Sequence, residues 1–282
     1  MGVIAEIERQ LGALRRRETA ERDGHADLRM STATHVVWAP PRWLPQAQAT
    51  FARLEERHPA RTIFLIPEPG RRARIEAEAA LKDVTLEGAE REIYSEVVEI
   101  RLFGAAARHP ASIVLPLLIP DLPAFCRWRG RPPWGASELD EVVGVVDRLV
   151  VDSGEWAGLP GQYGRLEALF DRVAVSDIAF RRLLPWRVRL AEAWPAVGKA
   201  RRVRVTGPRA DALLLAGWLR ARLRRRIALT RRAADTVEAV AVDGRELEPP
   251  FGDPPGPGDL LSAELDVLGR DRVYEAAVQS VR

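Results

Sequence analysis

Apolar residues recur at helical spacing from the start of the chain. Ile4, Ile7, Leu11 and Leu14 share one face of a helix predicted over residues 3–18, which Arg15, Arg16, Arg17 and Glu18 close. Such an amphipathic helix has to lie on something, either its own domain or a partner. Gly24, His25 and Asp27 predict a loop. Residues 28–39, rich in Thr, Val and Trp, read as a strand stopped by Pro40 and Pro41. Residues 45–57 read as a helix with Pro45 near its first turn, and Arg61 to Ile66 as a buried strand closed by Pro67. A long strand over 92–103, a buried helix over 110–118 and a strand over 124–128 follow. Ser137 is placed to cap a helix through about Val146, with Glu138 and Asp140 in its first turn, where the helix dipole favours acids. Arg148 to Asp152 completes a β-α-β-α alternation, which predicts a sheet with helices over its faces.

A Gly/Pro-rich break follows at Gly154–Gly161. Residues 162–172 and 177–192 are both helical in pattern, and Pro195 and Gly198 make a second break. Val203 and Val205 form a short strand, Ala210 to Arg222 a strongly apolar helix, and Ile227 to Leu229 another strand. Val237 to Leu247 reads as a hairpin turning at Asp243-Gly244. Five prolines and three glycines in 249–258 mark a connector, and two helices finish the chain. Asp259 is placed to cap the first of them, and Gly269 and Asp271 separate it from the second. The predicted fold class is α/β: two α/β domains joined by a helical segment. The division is an N-terminal helix and loop (1–28), an N-terminal α/β domain (29–154), and a C-terminal domain with bridging helices and a small α/β unit (155–282). A boundary near 154 and one near 197 both fit the breaks.

Composition agrees with a folded protein. Of 282 residues, 46% are hydrophobic and 29% charged, which excludes a disordered chain. No apolar run approaches the roughly 18 residues that a membrane span needs. Glu6 and Glu8 interrupt the N-terminus where a secretory signal would need an unbroken apolar stretch, so cytoplasmic residence is the expectation. Cys126 is the only cysteine, which rules out an intramolecular disulfide. The net charge is only +3, yet it is unevenly spread. Residues 199–232 carry twelve basic residues against Asp211 alone, and residues 233–282 carry four basic against eleven acidic.

The search for chemistry finds no catalytic constellation, no metal site and no cofactor motif. His25, His35, His58 and His109 show no zinc spacing, and Cys126 reads as a small core residue. No G-x-S-x-G elbow occurs, and a chain with two lysines offers no Walker pattern. Gly158, Gly161 and Gly164 read as an interdomain loop. Gly207-Pro208 before a helix is a weak anion site, because proline removes an amide. The arginines between Arg220 and Arg226 raise nucleic-acid binding as the more specific reading, and a solvated or internally paired face as the favoured one. No aromatic residues interleave them to stack bases, so nucleic acid is disfavoured. Eight tryptophans, several beside prolines, are either core or interface anchors.

Several stretches resemble the glucose-6-phosphate dehydrogenase assembly protein family, OpcA. They are Thr34-His35-Val36-Val37-Trp38-Ala39-Pro40, His58 to Ile63, Pro110 to Pro123, Arg127-Trp128-Arg129-Gly130, Asp147 to Ser153, Ser176-Asp177-Ile178-Ala179 and Leu184-Pro185-Trp186-Arg187. They follow one another in order from about residue 28, with a looser match from Val203 onward. The resemblance implies a non-catalytic partner that assembles or activates glucose-6-phosphate dehydrogenase, with an N-terminal and a C-terminal domain. The thiol control linked to some members is not carried over to a chain whose one cysteine is Cys126. Trp128, Arg129, Asp152, Ser176, Asp177, Trp186 and Arg187 are the candidates for partner contact. The plainer alternatives are that Asp177 caps the helix at 178–190 and that Trp186 packs between the domains. The rival reading is a sugar-phosphate-binding enzyme or sensor, with a sugar phosphate as a conceivable effector in either case.

Overall fold

The computed structural model describes residues 2–21, 31–54, 57–85 and 92–282. The expected loop at Gly24–Asp27, the first residues of the expected 28–39 strand and the tail of the expected 45–57 helix lie outside these. The architecture is mixed α/β with two sheets. The chain divides into two compact units: one takes the residues through Val150 with Pro257–Leu268, the other Val151–Gly256 with Gly269–Arg282.

In the first unit, the strands run in the order β3-β4-β2-β1-β5-β6. They are β1 (Ala33–Trp38), β2 (Ala60–Glu68), β3 (Arg74–Thr85), β4 (Glu92–Phe103), β5 (Ala124–Trp128) and β6 (Arg148–Val151). All pair in parallel except β3, which runs antiparallel to β4. The central strands are buried on both faces, so they read as near-continuous Val, Ile and Leu runs such as Thr62 to Ile66. Helix α1 (Val3–Glu21) packs on β3. Ile7 and Leu11 are fully buried there, and the Gln10 side chain accepts the Ala79 amide at 3.1 Å. The amphipathic N-terminal helix therefore covers its own sheet.

A buried carboxylate reinforces this contact. Glu96 on β4 is 2% exposed. It accepts from Arg15 Nε at 2.7 Å and from Arg61 Nε at 2.8 Å, while Arg61 also donates to the Leu117 carbonyl. An ion buried this deeply needs charged partners to offset its lost hydration.

Strand β3 is not anticipated by the pattern. Its Glu76-Ala77-Glu78-Ala79-Ala80 stretch consists of helix formers, but twelve register pairs to β4 override that preference. The charges of Glu76 and Glu78 suit its place at the edge of the sheet.

Helices α2 (Leu44–Leu54), α3 (Ala111–Val114) and α4 (Ser137–Val143) fall where expected, with corrected ends. After Val114 the chain tightens into a 3₁₀ turn around Pro116. Ser137 is the first helical residue of α4 rather than its cap. Helix α9 (Pro257–Leu265) packs on α2, with Ser262 Oγ 2.7 Å from His58 Nε2. Asp259 stands inside the first turn of α9.

The second unit opens with short helices: α5 (Tyr163–Glu167), α6 (Ile178–Arg182) and α7 (Leu184–Glu192), with the short strand β7 (Ala174–Asp177) between α5 and α6. The single helix expected over 177–192 is two. Helix α6 ends at Leu183, and Pro185 starts α7, because proline fits a first turn but not a helix interior. Strand β7 is four residues long and is masked in the sequence by the helical pattern it leads into.

A four-stranded sheet completes this unit in the order β11-β10-β8-β9. It is formed by β8 (Arg202–Thr206), β9 (Ala228–Arg232), β10 (Ala239–Val242) and β11 (Arg245–Glu246). Strands β8 and β9 are parallel and joined by α8 (Arg209–Leu223). The β10–β11 hairpin turns at Asp243-Gly244 with φ of +48° and +90°, the signs a two-residue type I′ turn requires. Val203, Val205, Val240 and Val242 are buried.

Helix α8 lies against α10 (Arg272–Gln279), which Asp271 caps by accepting the Val273 and Tyr274 amides at 2.9 Å. The helices approach closely at Gly217, where an added Cβ would stand 2.3 Å from the Ala277 carbonyl oxygen. Gly217→Ala should therefore destabilise the protein by about 1–3 kcal/mol through overpacking. That exceeds the roughly 0.4–1 kcal/mol gained by restricting the unfolded chain. Urea unfolding measures the balance, and an unchanged midpoint would refute the tight helix contact.

Candidate functional site

The sequence candidates fall into two settings, one in each unit. Trp128 and Arg129 lie at the carboxyl end of β5. Strand β1 leads to β2 on one side and β5 leads to β6 on the other, so the β1/β5 pair is the point where the strand order reverses. In open α/β sheets this crevice is where ligands bind. Here it is filled by the chain itself. Trp38 and Trp128, register partners at the ends of β1 and β5, stack with centroids 4.5 Å apart and planes at 12°. They are 5% and 1% exposed. Arg129 follows, its guanidinium 4.6 Å above the Trp43 ring and its Nη2 donating to Gln46 at 3.0 Å. Gly130 has φ of +76°, and a Cβ there would press on Trp43 Nε1 at 3.2 Å.

Asp152, Ser176 and Asp177 lie in the second unit. Asp177 is 1% exposed, and both of its oxygens are used. Its Oδ1 accepts the Ser153 amide at 3.0 Å and the Ala179 amide at 2.9 Å, so it caps α6. Its Oδ2 accepts from the Tyr274 hydroxyl at 3.2 Å. Ser153 Oγ and Tyr163 Oη are 3.0 Å apart beside it. Arg182 bridges the other two acids, donating to Asp152 Oδ2 at 3.0 Å and to Asp211 Oδ2 at 3.2 Å. Ser176 is buried, and its hydroxyl has no partner among the described residues.

Three carboxylates facing one guanidinium cannot all be charged cheaply. Burial, and secondarily the Asp152 charge, pushes Asp177 up to about 7. Asp211 is pushed up to about 6, because burial outweighs its pairing with Arg182. Burial also raises the Tyr163 hydroxyl. A carboxyl poised near neutrality is the kind of group that serves as a general base. Asp177 is instead enclosed and fully engaged, joining the segment after β6, the start of α6 and helix α10 through one side chain. The cluster acts as a clamp.

Trp186 on α7 is 6% exposed. The Arg187 guanidinium lies 3.9 Å from the Phe180 ring centroid and donates to the Phe180 carbonyl. Of the seven candidates, Trp128, Ser176, Asp177 and Trp186 are interior, and Arg129, Asp152 and Arg187 are half-buried.

Arg182, Asp211, Tyr163 and Tyr274 were not anticipated. Asp211 does carry a signal, as the one acid within the strongly basic 199–232 stretch. The 220–226 arginines partly turn inward, since Arg220 donates to the carbonyls of Ile227, Ser280 and Val281. Cys126 is buried on β5, and burial pushes its thiol up to about 12. His35 sits edge-on to Phe51 and Phe125, and burial lowers it to about 3. Among the described residues no helix is long and apolar enough to cross a membrane.

Two family models together cover most of the chain. A family model described as the glucose-6-phosphate dehydrogenase subunit N-terminal domain matches residues 51–168. A second, described as the corresponding C-terminal domain, matches residues 173–254. The chain belongs to the OpcA family of glucose-6-phosphate dehydrogenase assembly proteins. No curated protein matches it.

The raised carboxyls make stability depend on pH. An unfolded aspartate titrates near about 3.9. Between that value and the folded values of about 6 and about 7, the folded chain holds protons that the unfolded chain has released. Their stabilising contribution is complete below the unfolded pKa and is lost as pH rises through the folded ones. The thermal midpoint should fall by a few degrees between pH 5 and pH 8. Asp177→Asn should flatten much of that slope, because its Oδ1 still accepts both amides and its Nδ2 can donate to Tyr274. A midpoint that rises over this range would contradict the assignment.

Proposed function

We propose that this chain is a non-catalytic assembly factor of glucose-6-phosphate dehydrogenase. It binds the enzyme in the cytoplasm, at the entry to the oxidative pentose phosphate pathway, and favours its more active arrangement. The observation that carries this reading is the filled crevice between β1 and β5. The position where an α/β sheet would take a substrate is occupied by stacked Trp38 and Trp128, and Arg129, paired with Trp43, follows Trp128 directly in the chain. The two OpcA family models name the partner. Activation then follows from differential affinity: a partner that binds one state of the enzyme more tightly shifts the population toward it.

The seven candidate residues divide by role in this proposal. Arg129 and Arg187 offer partly exposed guanidinium groups for contact, a residue type enriched at interface hot spots. Trp128, Asp152, Ser176, Asp177 and Trp186 hold the segments that present them.

Mixing the chain with the dehydrogenase of the same organism should give co-elution on size exclusion and a changed turnover or substrate affinity. Trp186→Ala should lower stability by about 3–5 kcal/mol and weaken the complex with it. Arg187→Ala should weaken the complex at a smaller cost in stability than Trp186→Ala, through the loss of its contacts with Phe180. Absence of both co-elution and kinetic change, with both proteins folded, would sink the proposal. Calorimetric binding of glucose 6-phosphate to the chain alone would favour a sugar-phosphate sensor instead.

A further inference from the structure

The four-stranded sheet of the second unit keeps one face open. Val203, Val205, Val240 and Val242 fill its inner side. Because side chains alternate along a strand, Arg202, Arg204 and Thr206 of β8 point the other way. Their register partners on β9 are Ala228, Thr230 and Arg232, and on β10 Ala239 and Ala241 lie opposite Thr206 and Arg204. The result is a shallow surface of Ala and Thr from which three arginines rise, all three exposed. Among the described residues none forms an ion pair or side-chain hydrogen bond with Arg202, Arg204 or Arg232. Two depressions open on this face, of about 670 Å³ and about 450 Å³, and both are lined by Arg204 and Ala241. A third, of about 370 Å³, shares Asp243 with the second and is lined by Trp194, whose side chain is 63% exposed.

We propose that this sheet face docks an acidic surface of the dehydrogenase, with Trp194 as the apolar anchor at its margin. The assignment rests on the assembly-factor reading and adds the surface that performs it. Unpaired guanidinium groups spaced along adjacent strands match a row of carboxylates, and the small Ala and Thr side chains between them let a partner approach closely. Exposed tryptophan and arginine are the residue types that dominate interface energetics.

Two other occupants fit less well. Asp235, Glu238 and Glu246 rim the larger depression; a protein surface can set its carboxylates opposite the arginines and clear of these acids, whereas a continuous phosphate backbone cannot avoid them. Among the described residues, the outward positions of β8, β9 and β10 hold no aromatic side chain to stack bases. A single small anion would meet exposed, hydrated cations, which hold such a ligand weakly.

The test uses the full chain and the dehydrogenase of the same organism. Arg202→Glu/Arg204→Glu/Arg232→Glu is compared with Arg222→Glu/Arg224→Glu/Arg226→Glu, which makes the same change of charge at the C-terminal end of α8. The sheet variant should associate at least about tenfold more weakly and lose activation, while the control stays within about twofold of the unmodified chain. Raising salt should weaken the unmodified complex and leave the sheet variant nearly unaffected. Arg204→Glu alone, judged by circular dichroism and thermal midpoint, guards against a triple variant that fails to fold.

An unmodified chain that binds, beside a folded sheet variant that binds equally well, overturns the surface and leaves the assembly-factor reading standing. An unmodified chain that does not bind overturns both. Salt-sensitive retention of duplex DNA or RNA, lost in the sheet variant while dehydrogenase binding persists, replaces the acidic protein with nucleic acid.

Discussion

A carboxylate removed from water has to be satisfied by the chain itself, and each unit of this protein is tied together around one that is. In the second unit Asp177 accepts two backbone amides and a tyrosine hydroxyl, so one side chain fixes the turn after β6, the first turn of α6 and the placement of α10. In the first unit Glu96 takes two guanidinium groups and thereby joins α1, β2 and β4. These ties make demands beyond their own atoms. Removing one partner leaves a buried charge or amide uncompensated, which costs far more than the net worth of the intact pair.

The two carboxylates solve the problem differently, and the difference follows from their partners. Glu96 has two cations within hydrogen-bonding distance, and its neighbourhood is balanced. Asp177 has dipoles only, with Asp152 and Asp211 nearby and Arg182 shared between those two. Its charge is therefore opposed both by burial and by like charge, and protonation near neutrality is the result. The same burial that places Asp177 in the pH range of a catalytic base also closes it off. Among the described residues, Arg202, Arg204, Arg232 and Trp194 are by contrast exposed.

What the sequence revealed depended on whether a segment's partners were local. The parallel core strands announced themselves as unbroken apolar runs, and the Asp243-Gly244 turn carried its own backbone preference. The alternation of strands and helices was enough for the α/β class. Strand β3 was hidden because its Glu-Ala stretch owes its extended form to β4 and not to its own residues. Strand β7 was hidden because four residues are too few to show a period. The polar cluster was half legible: Asp152, Ser176 and Asp177 stand out in the stretches that resemble the family. Tyr163, Arg182, Asp211 and Tyr274 join them only through folding, from α5, α6, α8 and α10.

Under the proposed assembly role, the filled crevice lets an enzyme-like sheet serve a partner and not a substrate. Closing the β1/β5 mouth with Trp38 and Trp128 exchanges a solvated cavity for a stacked aromatic pair, which favours rigidity where an enzyme would keep space. Arg129 and Gly130 then leave the sheet at a fixed angle, held by Trp43 and Gln46. A protein that works by recognising one arrangement of another gains from such rigidity, because each side chain ordered in advance is one less to order on binding. On the second unit the same logic applies to the open sheet. Its backbone is fixed by four paired strands, so Arg202, Arg204 and Arg232 are spaced by the ladder and not by the partner.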